Sequence, residues 1–243
     1  MLYVLPLEPM EERYTEQWYR WFREELEAAG VPFEYIDGDQ IRSYVKVGTV
    51  FDVTGTSYWK MTQLAKVCKL FEEGRVKDGD KFFVMDLWFP GLEVIPYMAE
   101  LCGIHIRMFG FLHAGSYYNE DYTESMVSWV KYFEVGWARI CEKIFVGSEY
   151  HKKLFLRTRD AEAKIVVTGN PFKSSELAPY RVPLSEKKRQ VIFPNRWDKE
   201  KRPAEFVYIA RKMPDVQFVI TTSRRTLTSL RPALRGWKRR KET

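Results

Sequence analysis

Short apolar runs alternate with amphipathic stretches along most of the chain. The runs predict strands at Met1–Leu7, Val31–Ile36, Val47–Val53, Lys81–Leu87, Ile104–Leu112, Ile144–Val146 and Lys164–Val167. Between them, apolar residues recur every three or four positions, which predicts helices. The first is predicted to begin at an N-cap Thr15, and the others cover Thr56–Phe71, Val94–Leu101, Tyr122–Lys143 and 149–157. Strands that alternate with helices indicate an α/β fold, here a Rossmann-like parallel-sheet domain.

The same pattern starts again at Val191. An apolar run is followed by a charged loop, a helix that begins at Pro203, and a second apolar run that starts at Val216. Strand, helix and strand form a βαβ unit, so we predict the start of a second Rossmann-like domain. The predicted organisation is an N-terminal domain at 1–172, a polar linker at 173–189 and a partial C-terminal domain at 190–243.

Composition narrows the class of protein. A hydrophobic content of 45% is enough for a globular core, and no apolar run approaches the ~20 residues that span a bilayer. The first residues lack the basic start of a signal peptide, so we expect a cytoplasmic protein. Cys68, Cys102 and Cys141 have no metal or redox spacing and are expected to be free, buried thiols.

Positive charge is concentrated in the C-terminal tail. Residues 224–243 carry eight Lys and Arg side chains and one carboxylate, so their net charge of +7 exceeds the +6 of the whole chain. The rest of the chain is therefore close to neutral, which argues against a general nucleic-acid surface. Leu227, Leu230, Leu234 and Trp237 have helical spacing, so the tail can instead cover an apolar face, or contact an anionic membrane or nucleic acid.

Two cations lie in the charged loop after Val191–Phe193. Ligands bind at the carboxyl ends of parallel strands, which is where this loop is predicted to lie. The planar guanidinium of Arg196 and the mobile ammonium of Lys201 together suit a diphosphate. The alternative is an ordinary solvated loop.

This segment, the apolar run Val191–Phe193 followed by Arg196 and Lys201, resembles the start of the second domain in nucleotide-sugar-dependent glycosyltransferases of GT-B fold. In that family, Arg and Lys grip the phosphates of the donor. This sequence has Asn195 and Arg202 where the family typically has glycine. The resemblance implies a nucleotide-diphosphate sugar as donor substrate, with no other cofactor and no required metal.

Three positions of the first half fit the same resemblance. His113 ends a strand and is similar in place to a family histidine beside the donor sugar, which makes it the candidate catalytic residue. Ser148 and Asn170 follow later strands, and the resemblance places both near the donor. Ser148 also suits a helix N-cap, and a histidine held by backbone groups is the alternative for His113.

In the resembling family, the loop that corresponds to the first loop of this chain faces the acceptor. Here the loop contains Glu11 and Arg13 but no glycine-rich phosphate loop, so the first half is a poor dinucleotide site. The resemblance implies an acceptor-side role for both residues, and solvated loop charges are the alternative. A lone Asp86 at a strand end is expected to form a turn.

The predicted second domain is shorter than the resemblance requires. Further βα units are expected after Thr222, so we expect a truncated domain, a homo-oligomer or a completing chain, or a tail that covers the exposed face. The leading hypothesis is transfer of a sugar from a nucleotide-diphosphate donor to an acceptor hydroxyl. A viral-type glucosyltransferase that modifies DNA, and a non-catalytic binding or assembly module, remain the alternatives.

Overall fold

The computed structural model describes residues 1–11, 13–43, 52–119, 121–159, 164–195, 197 and 201–221. Its strands are β1 (Leu2–Leu5), β2 (Phe33–Tyr35), β3 (Lys81–Val84), β4 (Arg107–Leu112), β5 (Cys141–Val146), β6 (Ile165–Val167), β7 (Gln190–Phe193) and β8 (Gln217–Ile220). Its helices are α1 (Tyr14–Ala28), α2 (Val53–Glu72), α3 (Val94–Leu101), α4 (Val127–Ile140), α5 (Glu149–Leu156), α6 (Ser174–Leu177) and α7 (Pro203–Lys212).

Strands β1 to β6 form one parallel sheet in the order β2-β1-β3-β4-β5-β6. Parallel neighbours need a crossover, and a helix supplies it between each pair of successive strands. The predicted α/β class is therefore confirmed, and the arrangement is Rossmann-like.

The two faces of this sheet are covered differently. One face forms the larger core, where Phe82, Val84 and Ile144 pack with buried residues of α2, α3, α4 and α5. On the opposite face, Val4, Met85 and Phe111 pack with Trp18 and Trp21 of α1. We call these the multi-helix face and the α1 face. Among the helices described in this unit, α1 is the one whose buried residues lie on the α1 face.

The chain divides into two compact units, one with β1 to β6 and the other with β7, α7 and β8. The first unit extends to Lys173. In the second, β7 and β8 pair in parallel from Gln190↔Gln217 to Phe193↔Ile220. The predicted βαβ unit is therefore confirmed, and Pro203 is the first residue of its helix.

Several sequence predictions differ from the structure. Cys68 is exposed, because α2 instead buries the stripe that contains Trp59, Gln63 and Val67. Cys102 is also exposed, so only Cys141 is a buried thiol as predicted. The N-cap of α1 is Arg13 rather than Thr15, whose hydroxyl accepts a hydrogen bond from the Met10 N–H at 3.2 Å.

The predicted helix over Tyr122–Lys143 is too long at both ends, because α4 begins at Val127 and ends at Ile140. The helical pattern predicted a helix to Lys143, but the chain becomes extended at Cys141, which pairs with Met108 of β4. Pairing with the sheet overrides the local helical pattern here. The predicted strand over Val47–Val53 falls mainly outside the described residues, and Val53 itself begins α2.

Candidate functional site

The connections of β1 and β3 leave the sheet on opposite faces. Helix α1 follows β1 on the α1 face, whereas α3 follows β3 on the multi-helix face. Adjacent strands whose connections diverge leave a crevice at their carboxyl ends, and parallel α/β sheets bind ligands there. We call this place the switch crevice.

Charged side chains are buried around the switch crevice. Glu8 follows β1, is 5% exposed and accepts a hydrogen bond at 3.0 Å from the Thr56 hydroxyl in the first turn of α2. One turn later, Lys60 is 7% exposed, and its ammonium lies 2.7 Å from a carboxylate oxygen of Asp86. The ammonium also donates to the Trp88 carbonyl. Buried charges require such partners. The Lys60–Asp86 ion pair therefore lies at the edge of the sheet where a ligand would bind.

Asp86 has the turn role expected from the sequence and the ion pair besides. Its second carboxylate oxygen accepts from the Trp88 N–H at 3.3 Å, two residues further on. Both oxygens are thereby engaged, one by the turn and one by Lys60. The carboxylate is thus held in one orientation at the end of β3.

His113 lies at the end of β4, beside Asp86. Its Nε2 is 2.8 Å from the Met85 carbonyl oxygen. A carbonyl only accepts, so Nε2 carries the proton, and Nδ1 of the neutral ring remains an acceptor. Burial lowers the pKa of His113 below its ordinary value, opposed in part by the charge of Asp86 and by the bond to Met85. The histidine is therefore neutral near pH 7.

Aromatic rings hold the His113 imidazole in place. The ring centroids of Trp18 and Phe111 lie 4.8 and 4.9 Å from that of His113, and the Tyr14 ring lies at 5.9 Å. Helix α1 supplies Trp18 and Tyr14 from consecutive turns of one stripe. Packing on one side and the Met85 bond on the other fix both the ring plane and the tautomer.

The rim of the crevice includes one of the two predicted acceptor-side residues. The residue is Arg13, which acts on the nearby hydroxyl of Tyr122. Partial burial is the main cause that raises the pKa of this hydroxyl, and the negative charges of Asp86 and Asp121 add to the shift. The positive charge of Arg13 opposes it. Arg13 and Asp86 therefore lie close enough to act on one hydroxyl. Glu11 is exposed instead, and it accepts a hydrogen bond at 3.3 Å from the Ser43 hydroxyl.

A second buried ion pair fixes the loop that follows His113. The carboxylate of Glu134, in the middle of α4, is almost completely buried and accepts from the Ser116 N–H at 2.7 Å and the Ser116 hydroxyl at 2.8 Å. Arg159 donates its Nε–H to the same carboxylate at 3.0 Å. Gly115 permits this approach, because an added Cβ would lie 2.7 Å from a Glu134 oxygen. This network anchors the loop to α4.

Ser148 and Asn170 lie at the ends of the next two strands. Ser148 is the N-cap of α5, and its hydroxyl accepts from the His151 N–H at 3.1 Å, as the sequence predicted for a cap. The Asn170 side chain lies against Gly147, where any Cβ would clash with its amide. The structure therefore brings Asn170 next to the residue that precedes Ser148.

The predicted phosphate-binding pair belongs to the second unit. Arg196 lies outside the described residues, whereas Lys201 is exposed and precedes α7 by two residues. Arg202, where the resemblance expects glycine, has a φ of 51° and is the one non-glycine residue in the described ranges with a positive φ. The backbone thus takes a glycine-favoured conformation at this position.

Sequence reasoning missed Glu8, Lys60, Glu134 and Arg159. A signal existed for two of them, because Lys60 and Glu134 interrupt apolar helical stripes. Lys60 shares its stripe with Leu64 and Val67, and Glu134 shares one with Val130 and Trp137. A charged residue on such a stripe is buried when the helix packs, and it then needs a partner.

Neither a metal cluster nor a membrane span is found in the part of the chain that the structure describes. Its His, Cys, Asp and Glu side chains form no group of three or more that could hold a metal ion. None of its helices is both long and apolar enough to cross a bilayer. Comparison of the sequence with models of protein families and with curated proteins gives no match.

Proposed function

We propose that this protein is a glycosyltransferase that moves a sugar from a nucleotide-diphosphate donor to an acceptor hydroxyl. The observation that carries the proposal is His113, a neutral imidazole with a fixed tautomer at the carboxyl edge of a parallel sheet. Its Nδ1 can accept a hydrogen bond from a sugar or acceptor hydroxyl. The Lys60–Asp86 pair and Arg13 place polar groups around it.

The second unit supplies the proposed diphosphate contacts. Lys201 precedes α7, and the N–H groups at a helix N-terminus favour anions. Arg202 supports the resemblance at the level of the backbone, because its left-handed conformation is the one that a glycine would adopt there. Arg196 is the second proposed cation, on the basis of the sequence alone.

The proposed reaction is a displacement at the anomeric carbon. The acceptor oxygen forms the new bond to this carbon, while the bond to the diphosphate oxygen breaks and its electron pair leaves with the nucleoside diphosphate. Arg196 and Lys201 would stabilise the charge that grows on this leaving group. The acceptor proton would pass to a base at the site, for which the Nδ1 of His113 is the candidate.

Calorimetric titration with UDP, GDP and their common sugars tests the donor site. We expect micromolar binding, about −8 kcal/mol, by the wild type. Arg196→Ala and Lys201→Ala should each weaken it ten- to a hundredfold, because a hydrogen bond to a charged group contributes about 1.5–3 kcal/mol. Arg211→Ala, an exposed cation on α7, is the matched control and should leave binding unchanged. Absence of binding by every nucleotide would refute the proposal.

His113→Phe separates catalysis from donor binding. The variant keeps an aromatic ring among Trp18 and Phe111 but removes both nitrogens. We expect donor binding to persist while transfer or hydrolysis of a radiolabelled donor sugar falls at least a hundredfold. Donor binding by the wild type with no turnover on any acceptor would favour the non-catalytic module instead.

A further inference from the structure

An apolar groove lies on the α1 face of the first sheet. Its floor consists of side chains from β1, β3, β4 and β5, and its walls are α1 on one side and residues 168–171 on the other. The floor residues are Leu2, Phe83, Met85, Phe109, Phe111 and Phe145. The cavity measures about 480 Å³, within the range of small-molecule sites.

Basic side chains border the end of the groove where the strands begin. Lys81 lines the groove, and the sheet register places Arg107 beside it in the same row. Lys143 pairs with Phe109 one row further along, so its side chain leaves the sheet on the same face. Glu142 is bound to Arg107 through two hydrogen bonds of 2.6 Å. Its negative charge offsets one of the three cations, so this end of the groove carries a net charge of about +2.

The opposite end of the groove is closed by aromatic rings. Trp18 and Phe111 pack edge to face with their centroids 5.3 Å apart, and both also contact the His113 ring. The groove therefore has cations at one end and uncharged side chains, mostly aromatic rings with Asn170 beside them, toward the other. A ligand that matches it has a charged head and an apolar tail.

The dimensions favour one extended chain over a docked helix. A helix about 10 Å across occupies roughly 400 Å³ in each 5.4 Å turn. The cavity would therefore enclose little more than one helical turn, and a single extended chain is the better match to its volume. The two walls also distinguish the groove from a flat surface that would rest on a bilayer.

We propose that this groove binds the aliphatic chain of a single anionic amphiphile, with its carboxylate or phosphate head at Lys81 and Lys143. Burial of the methylene groups contributes more than the exposed ion pairs of the head, so most of the affinity comes from the chain. The cations set the direction in which the chain enters. The inference is independent of the proposed sugar transfer, because it requires no nucleotide and no catalysis.

Calorimetry with two twelve-carbon probes tests the inference on the full-length protein. Dodecanoate, below the concentration at which it forms micelles, is expected to bind with a micromolar dissociation constant. Dodecanol, with the same chain and no charge, should bind roughly fivefold more weakly, because a solvent-exposed ion pair contributes up to about 1 kcal/mol. Failure of both probes to bind would overturn the inference.

Matched variants locate the probe. Thr168→Trp adds a large ring to the groove wall without removing a core contact, and it should weaken the binding of both probes at least tenfold. Phe109→Ser, in the floor of the groove, should weaken their binding to the same extent. Lys81→Gln combined with Lys143→Gln should abolish the preference for dodecanoate, whereas Lys69→Gln, on exposed helix surface, should not. Binding that survives both Thr168→Trp and Phe109→Ser would place the probe elsewhere and overturn the inference.

Vesicles distinguish a single ligand from a membrane surface. Sedimentation with vesicles of phosphatidylcholine and phosphatidylserine should leave the protein in the supernatant. Co-sedimentation that Phe109→Ser abolishes, without binding of monomeric dodecanoate, would make this face a membrane contact and overturn the inference.

Discussion

At the residue scale, the ion pairs of the first unit differ mainly in burial. The Glu134 and Arg159 side chains are 1% and 4% exposed, whereas Arg20 and Glu24 on α1 are 51% and 37% exposed. Exposed pairs contribute little to stability because water and salt screen them. A buried charge left without its partner, by contrast, has a large desolvation cost.

We therefore expect Arg159→Met to lower the free energy of unfolding by about 3–5 kcal/mol, because it leaves the Glu134 carboxylate buried without its cation. Arg20→Met removes an exposed cation of similar length and should change stability by no more than about 0.5 kcal/mol. Urea denaturation followed by circular dichroism measures both. Equal effects of the two substitutions would show that the Glu134 network has no special role in stability.

His151 should make stability depend on pH. Burial, aided by nearby His113, lowers the pKa of His151 to about 4, below its ordinary value of 6.5. Between pH 4 and 6.5 the unfolded state therefore binds more protons than the folded state. The contribution of His151 to stability is fully present above pH 6.5 and is lost as the pH falls toward 4. One such group changes the slope by at most about 1.4 kcal/mol per pH unit.

The test is to compare wild type with His151→Gln, which can still accept the hydrogen bond that the Tyr117 hydroxyl makes at 2.6 Å. Free energies of unfolding are measured from pH 7 to 4.5. We expect the wild type to lose more stability than the variant across this window. Parallel curves would mean that His151 does not titrate with a lowered pKa.

At the element scale, local signals determine some helix bounds and miss others. Ser148 caps α5 and Pro203 begins α7, as the sequence predicts. The end of α4 carries no glycine or proline, and its position follows from the pairing of Cys141 with Met108. Such an end depends on a strand far away in the sequence, so local pattern cannot predict it.

The start of α7 contains the strained element of the second unit. Arg202 has a left-handed backbone, which costs a side-chain-bearing residue roughly 1 kcal/mol. We expect Arg202→Gly to offset part of that strain and to raise the free energy of unfolding by up to about 1 kcal/mol. Arg211→Gly, inside α7, should lower it by a similar amount.

Thermal or urea unfolding of the two variants beside the wild type measures these changes. Opposite signs for Arg202→Gly and Arg211→Gly are expected. A loss of stability in both would contradict the assignment of a left-handed conformation to Arg202.

The candidate site was predictable only in part for a similar reason. His113 and Asp86 follow apolar strands, so their place at the carboxyl edge could be read from the chain. Lys60 reaches that edge from α2, and Arg159 reaches Glu134 from the turn after α5. These partners meet only when separate elements pack, and no spacing in the sequence specifies the pairing.

At the scale of the whole molecule, the chain between the two sheets buries little surface. From Ser174 to Gln190 no residue is buried, and Tyr180 and Leu184 are 79% and 83% exposed. Two short 3-10 turns, Ala178–Tyr180 and Leu184–Glu186, interrupt it. A segment with so few buried contacts opens at low free-energy cost.

Limited trypsin digestion should therefore cut first after Arg181, Lys187, Lys188 or Arg189. The expected early product is a fragment that contains β1 to β6, because Lys and Arg residues within the sheet and its helices are protected by cooperative structure. Mass spectrometry of a time course identifies the first cuts. Initial cleavage within α2 or α4 would contradict this expectation.

The strand order also has a consequence for the way in which the chain folds. Strand β1 lies between β2 and β3, and its pairing with β3 joins Leu2 to Lys81. During synthesis, β1 can therefore pair with β3 only after about eighty further residues have been made. Loops of this length close slowly, so refolding should take milliseconds to seconds rather than microseconds. Until then the aromatic residues of the α1 face are exposed, so the incompletely folded chain is prone to aggregation.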